Sequence, residues 1–321
     1  MTALTRRAIL LGAVAAPVAS RAIAQSGNVV RIIVPFPPGG TVDPIARMVQ
    51  PGLQQKLGQT IIIENKPGAS GSIGTAMAAK SPPDGSNWVF VFDTHAVNPF
   101  LQNLPFDTEK DLEPVLLIGT APNVVATQPA SPFKTFRDVI DAAKAKPETV
   151  TYGSVGNGSL GHLTMVLLGQ RAGVKMVHVP YRGGGPLMND ALAGHIGVAI
   201  GSAALITPQI RGNKLRALAQ SGATRSQGLP DVPTMIESGF VGFESYAWWG
   251  VFTAAKTPRP LIDRFSNALA ETLREPAITK NIQNMQITMR LEGPDRLRQF
   301  VSDQMKLWGP VVREHNIKGD S

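Results

Sequence analysis

The chain has 321 residues, of which 43% are hydrophobic and 17% charged, a composition typical of a folded protein long enough for two domains. It contains no cysteine, which excludes disulfide bonds, thiolate metal sites and a cysteine nucleophile. The formal charge of +8 comes from dispersed Lys and Arg residues without interleaved aromatic residues. This pattern argues against a nucleic-acid partner and favours a solvated basic surface that mildly attracts anions.

The first 24 residues have the order of an export signal. Arg6 and Arg7 precede an apolar stretch over residues 8–19, and the small-residue triplet Ala22-Ile23-Ala24 follows. The apolar stretch is shorter than the ~20 residues of a membrane-spanning helix. We therefore expect cleavage before Gln25 and a mature protein in the periplasm. Residues 5–10 resemble the twin-arginine export motif, and the general secretory route stays open as the alternative.

The next part of the chain alternates strands and helices. A strand over residues 29–34 enters the turn Pro35-Phe36-Pro37-Pro38-Gly39-Gly40, and Asp43-Pro44 predicts a helix start with Asp43 as its cap. Further strands are predicted over 61–63 and 88–92, separated by a glycine-rich helix start at 68–74. This order predicts parallel strand pairing with right-handed crossovers.

The pattern then restarts. The predicted strands are 115–118, 124–127, 150–152, 176–179, 198–200, 217–219 and 247–253, and the predicted helices are 136–145, 162–171, 260–273 and 294–314. Both units place glycine-rich turns at the carboxyl ends of their strands, where open α/β sheets bind ligands. We therefore predict an α/β fold of the two-lobed periplasmic binding protein type (type II-like), with two hinge strands. The predicted boundaries are 29–126 plus 248–321 for one lobe and 127–247 for the other.

The loop over residues 156–161 matches the dinucleotide fingerprint G-x-G-x-x-G after a strand and before a helix. The next strand ends at Val179-Pro180-Tyr181-Arg182, without the acid that would hold a ribose. An exported NADP-dependent oxidoreductase is therefore the alternative hypothesis, with Arg182 facing a 2′-phosphate. The simpler interpretation is a helix N-terminus that binds a carboxylate through free N–H groups, with hydroxyl donors from Ser154 and Ser159.

The remaining residues favour binding over catalysis. Gly39, Gly40 and Thr41 present an equivalent loop in the first unit, and Ser70 is a helix cap or a ligand contact. The five histidines show no metal-ligand spacing, and no G-x-S-x-G elbow is present. His162, behind the glycine loop, is placed for either a ligand contact or a structural role. We predict no catalytic residue, no metal site and no cofactor.

Taken together in their order, these loops resemble the Bug family, the solute-binding receptors of tripartite tricarboxylate transporters. The resemblance runs from about Val29 to the C-terminus and rests on Pro35–Asp43, Glu64–Gly71, Pro83-Asp84-Gly85, His95–Pro99, Gly153–Ser159, His178–Gly183, Leu229–Thr234 and Trp248-Trp249-Gly250. It implies two lobes that close on a carboxylate held by backbone amides, hydroxyls and water.

The resemblance also implies a set of cleft residues and partners. The residues predicted to bind the ligand are Gly39, Gly40, Thr41, Ser70, His95, Asn98, Ser154, Gly158, Ser159, His162, Tyr181 and Gly185. The chain departs from the family where residues 194–202 lack a common acid, which favours a dicarboxylic or aromatic acid over an amino acid. The implied partners are the membrane components of a tripartite tricarboxylate transporter or a sensor kinase, and we expect a monomer.

Overall fold

A computed structural model describes residues 29–319, so the predicted export signal lies outside the described residues. Within this range no helix has the length and apolarity needed to cross a membrane. The strands are β1 (Val29–Val34), β2 (Thr60–Asn65), β3 (Asn87–Phe92), β4 (Leu112–Thr127), β5 (Thr151–Ser154), β6 (Val177–Pro180), β7 (Val198–Ser202), β8 (Arg216–Gln220), β9 (Tyr246–Ala254) and β10 (Thr288–Glu292).

The helices cover the faces of this sheet. They are α1 (Val42–Leu57), α2 (Ser72–Ala79), α3 (Asn98–Leu101), α4 (Phe136–Ala145), α5 (Leu160–Ala172), α6 (Gly184–Ala193), α7 (Ala203–Arg211), α8 (Arg259–Leu273), α9 (Pro276–Asn284) and α10 (Pro294–Glu314). Short 3₁₀ turns at Ala69–Gly71 and Asp93–Ala96 follow β2 and β3. Along the chain, the apolar residues recur every second residue in the strands and every 3.6 residues in the helices, as expected for a mixed α/β fold.

The ten strands run in the order β2-β1-β3-β9-β4-β7-β5-β6, with β8 and β10 also paired to β4. Strand β1 is parallel to β2 and β3, and β5 is parallel to β6 and β7, as predicted from the βαβ pattern. Strand β4 pairs with β9 as far as Pro122 and with β7 and β8 from Asn123 onward. Strands β4 and β9 therefore link two α/β halves, which we call the first lobe (β1–β3, β9, β10) and the second lobe (β5–β8).

The prediction of two separate strands over 115–118 and 124–127 is wrong, because β4 is one continuous strand of 16 residues. Gly119 and Pro122 interrupt the apolar pattern, but register shifts after Pro114 and Leu117 absorb the irregularity. Gly119 is also required by packing, since a Cβ there would overlap the backbone of Thr288 in β10. Helices α3, α6, α7 and α9 and strand β10 had no counterpart in the predicted elements.

Asp43 is not the cap of α1, contrary to the prediction from Asp43-Pro44. The helix begins two residues earlier than predicted, at Val42, with Thr41 at the N-cap position. The Asp43 carboxylate instead accepts hydrogen bonds from Arg47 Nε (2.9 Å) and Asn65 Nδ2 (2.9 Å). These bonds tie the start of α1 to the end of β2, which fixes the two loops on either side of the site.

Candidate functional site

A cavity of about 440 Å³ lies between the lobes, which is within the size range of small-molecule sites. It is built from the residues that directly follow the carboxyl ends of β1, β2, β5 and β6. The lining residues are Pro35, Phe36, Pro37, Pro67, Gly68, Ala69, Ser70, Gly71, Ile73, Val155, Tyr181, Arg182 and Gly183. The cavity therefore occupies the sheet edge at which the sequence pattern predicted a ligand.

One wall of the cavity is a strained backbone segment. Gly68, Ala69, Ser70 and Gly71 have φ angles of 132°, 46°, 51° and 91°, all in the positive region. For Ala69 and Ser70 this conformation costs about 1 kcal/mol or more each. Such strain persists only where surrounding contacts hold it, and it concentrates at functional sites.

The segment after β3 holds this strained wall in place. The carbonyl oxygen of Ser70 accepts hydrogen bonds from Thr94 Oγ1 (2.8 Å) and Asn98 Nδ2 (3.1 Å), and Gln102 Nε2 donates to the carbonyl of Ala69 (3.2 Å). Asn98 thus contacts the cavity wall from behind and does not line the cavity. His95 lies in the same segment, buried against Trp248 and Phe252.

The two predicted glycine loops meet each other directly across the lobes. A Cβ on Gly185 would lie 3.0 Å from the carbonyl oxygen of Pro38, and a Cβ on Gly39 would lie 3.3 Å from Cα of Gly185. Gly40 faces Gly184 in the same way. The absence of side chains at these positions lets the backbones of the two lobes approach this closely. Thr41 is buried beside this contact, where its Oγ1 accepts a hydrogen bond from Trp249 Nε1 (2.9 Å).

The predicted hydroxyl donors of the second lobe make local hydrogen bonds. Ser154 Oγ is 2.7 Å from His178 Nε2 and donates to the carbonyl of Gly156 (3.0 Å). Ser159 caps α5 by accepting from the amide of His162 (3.3 Å), and its hydroxyl donates to the same carbonyl of Gly156 (2.8 Å). The loop between β5 and α5 is therefore held rigidly by its own side chains.

Two buried histidines, His95 and His162, and the half-buried His178 are neutral in the folded protein. His162 and His178 stack with ring centroids 3.7 Å apart, and His162 Nδ1 accepts from the amide of Gly158 (3.1 Å). Burial lowers the pKa of His162 to about 3, with His178 contributing, and burial lowers the pKa of His178 to about 4. Burial also lowers the pKa of His95 to about 3. At ordinary pH, His162 and His178 therefore serve packing and hydrogen bonding, and His95 serves packing.

Two polar contacts connect the lobes beside the glycine contact. Ser70 Oγ donates to the carbonyl of Asn157 (3.2 Å), and the amide of Leu160, the first residue of α5, donates to Asp93 Oδ1 (3.3 Å). Leu101 of the first lobe packs directly on Gly158 of the second. Asp93 escaped the sequence analysis, because nothing in its local pattern distinguishes it from a solvated loop acid.

Of the predicted binding residues, Ser70 and Tyr181 line the cavity, and Gly39, Gly40, Gly158 and Gly185 lie at the contact between the lobes. Thr41, His95, Asn98, Ser154, Ser159 and His162 are buried behind these surfaces. Sequence reasoning missed Phe36 and Val155 as cavity walls. It considered Arg182 only as a partner for a 2′-phosphate under the alternative hypothesis.

The sequence model of the family described as "Tripartite tricarboxylate transporter family receptor" matches residues 45–317. The chain belongs to this family. Protein BugT of Bordetella pertussis is 32% identical over 313 residues, 97% of this chain and 95% of BugT. Two solved structures from Rhodopseudomonas palustris are each 27% identical to this chain. Rpa4515 with adipate has a TM-score of 0.86 and covers 90% of this chain and 97% of its own. MatC with bound malate has a TM-score of 0.83, and the match covers 88% of this chain and 98% of MatC.

Family membership makes the chain a periplasmic solute-binding protein and not an enzyme. The alternative of an NADP-dependent oxidoreductase, drawn from the fingerprint at residues 156–161, is therefore wrong. The structure supplies a physical reason, since the carboxylate of Asp93 and the side chain of Leu101 occupy the face of this loop and helix start that a pyrophosphate would need. Within residues 29–319, no three His, Asp or Glu side chains are grouped to hold a metal ion.

Proposed function

We propose that this protein captures a small organic acid, dicarboxylic or aromatic, in the cavity between its lobes. The observation that carries the proposal is the composition of the cavity wall, which is apolar on both lobes with one exposed guanidinium, Arg182, at its edge. Such a site suits a ligand with an apolar body and an anionic end.

The apolar body would contact Phe36 and Ile73 from the first lobe and Val155 and Tyr181 from the second. The hydroxyl of Tyr181 donates to Asp190 Oδ2 (2.7 Å), so it already has a hydrogen-bond acceptor within the protein. Because walls from both lobes contact the same ligand, binding favours the closed form over the open one.

The anionic end would pair with Arg182. Within the part of the chain that the structure describes, this side chain makes no ion pair or hydrogen bond, although many of the other arginines do. A guanidinium can bind a carboxylate through two parallel N–H groups. The adipate and malate named for the two R. palustris structures are dicarboxylates, which supports this ligand class.

Replacing Arg182 by Gln should weaken the binding of such an acid about 10- to 100-fold, the loss of a charge-assisted hydrogen bond worth about 1.5–3 kcal/mol. Titration calorimetry measures the effect. Arg296→Gln is the matched control, because Arg296 is exposed on α10, away from the cavity. Equal losses in the two variants would show that the effect is general surface charge.

A calorimetric panel tests the ligand class. No acidic side chain lines the cavity, so the ammonium group of an α-amino acid would lack an anionic partner. We expect adipate-like or benzoate-like acids to bind more tightly than α-amino acids of the same size. An α-amino acid as the tightest ligand would contradict the proposed class.

Delivery of the captured acid completes the proposal. We infer that the closed protein, a monomer, presents the solute to the membrane components of a tripartite tricarboxylate transporter, or reports it to a sensor kinase. We also propose export by a signal cleaved near Ala24, by the twin-arginine or the general secretory route. The amino-terminal sequence of protein recovered from the periplasm would test the cleavage site.

A further inference from the structure

Asp93 is a fully buried carboxylate at the contact between the lobes, with 1% of its surface exposed. It follows β3 in the first lobe, and its Oδ1 accepts the amide hydrogen of Leu160 at the start of α5 in the second lobe (3.3 Å). Its other oxygen, Oδ2, is buried without a hydrogen-bond partner among residues 29–319. In the conformation described here, α5 of the second lobe covers this carboxylate of the first lobe.

Among residues 29–319, no cation lies beside Asp93 to balance its charge. The surrounding elements are β3, β9, α3, α10, the turn Ala69–Gly71 and α5. The charged side chains of α10 are all solvent-exposed or half-buried, and the parts of β3, β9, α3 and the turn near Asp93 carry no titratable group. The titratable neighbours are His95 on the same turn and His162 on α5, and burial keeps both neutral.

Backbone hydrogen bonds that leave Oδ2 without a partner do not compensate the desolvation of an ionised carboxylate, which must be paired or lose its charge when buried. Burial raises the pKa of Asp93 well above its ordinary value, while the hydrogen bonds from Leu160 and Thr94 oppose this only in part. In an open form, α5 no longer covers the group, and water can solvate it.

We propose that Asp93 takes up a proton when the lobes close, which links solute capture to pH. The neutral carboxyl is the form that fits under α5, and its ionised form favours separation of the lobes. The inference concerns closure itself, so it does not depend on which solute binds.

The direction of the effect follows from linkage. Because the closed form binds the proton more tightly, lowering the pH favours closure in the range between the ordinary carboxyl pKa of about 3.9 and the raised value. In that range, the ratio of closed to open protein should rise by up to about tenfold each time the pH is lowered by one unit. Above it, the ratio becomes constant.

Small-angle X-ray scattering of the ligand-free mature protein between pH 8 and pH 5 tests the proposal. The wild-type radius of gyration should fall as the pH falls. Asp93→Asn, which is neutral, of equal size and still able to accept from Leu160, should be as compact at pH 8 as the wild type is at pH 5. Asp303→Asn, at an exposed position on α10, is the matched control and should follow the wild type.

A calorimetric measurement with adipate gives a second readout. Repeating the titration in buffers of different ionisation enthalpy should show up to one proton taken up on binding by the wild type and none by Asp93→Asn. Absence of adipate binding would count against the proposed ligand class and leave the scattering result to decide on Asp93. Identical scattering of wild type and Asp93→Asn at every pH, or a more open Asp93→Asn, would overturn the proposal.

Discussion

Between roughly pH 6 and pH 4, the free energy of unfolding is expected to fall by up to about 4 kcal/mol for each unit by which the pH is lowered. His95, His162 and His178 stay neutral in the folded protein, with pKa values of about 3, 3 and 4. In the unfolded chain, histidine takes up a proton near pH 6.5. The unfolded state therefore binds up to three more protons in this range, and Asp93, whose pKa is raised by burial, acts in the opposite direction. The stabilisation is complete above pH 6.5 and is lost as the pH falls.

Urea unfolding at a series of pH values measures this slope. His178→Gln should reduce it by about 1.4 kcal/mol per pH unit, because one of the three shifted groups is removed while a polar group near Ser154 is kept. A stability that does not change between pH 7 and pH 5 would mean that the three rings are accessible to protons in the folded state.

Gly185→Val is expected to abolish most solute binding while leaving each lobe folded. The Cβ that this substitution adds would already lie 3.0 Å from the carbonyl oxygen of Pro38, and the two valine methyl groups would reach further into the opposite loop. Separation of the lobes relieves this overlap. Keeping them together costs typically about 1–3 kcal/mol, as for other overpacked contacts. If that cost falls on the closed form alone, the apparent affinity should drop by about 10- to 100-fold.

Two measurements separate this effect from simple misfolding. The thermal midpoint of ligand-free Gly185→Val should stay close to that of the wild type, and its radius of gyration should not decrease when an acid is added. Asn189→Val, at an exposed position on the same helix, is the matched control and should bind normally. Full affinity in Gly185→Val would show that binding does not require the two glycine loops to meet.

Much of the fold follows from local sequence patterns. Helices α8 and α10 and strand β9 lie within one residue of their predicted bounds, because each has a strong apolar period and a Pro or Gly near its start. Strand β4 was divided in the prediction, since Gly119 and Pro122 are poor strand residues when judged alone. The partners that make them acceptable, β9 and β10, come more than a hundred residues later.

The position of the site was predictable, and the roles of its side chains were less so. Glycine-rich turns at the ends of parallel strands identified the loops that meet between the lobes. The hydroxyls of Ser154 and Ser159 both donate to the carbonyl of Gly156 in their own loop and not to a ligand. Serine side chains often bond to backbone groups a few residues away in the sequence. The contact between Asp93 and Leu160 joins residues 67 positions apart, so it depends on how the lobes come together and leaves no local signal.

Thermal unfolding of the mature protein, from Gln25 onward, against carboxylic acids and their neutral amides tests the central claim most directly. A ligand at ~100 times its dissociation constant should stabilise the protein by about 2.7 kcal/mol, which raises the midpoint by a few degrees. We predict such a rise with one class of dicarboxylic or aromatic acids, no rise with the amides, and a smaller rise in Arg182→Gln. Stabilisation by the neutral amides as strong as that by the acids would contradict carboxylate capture in this cavity.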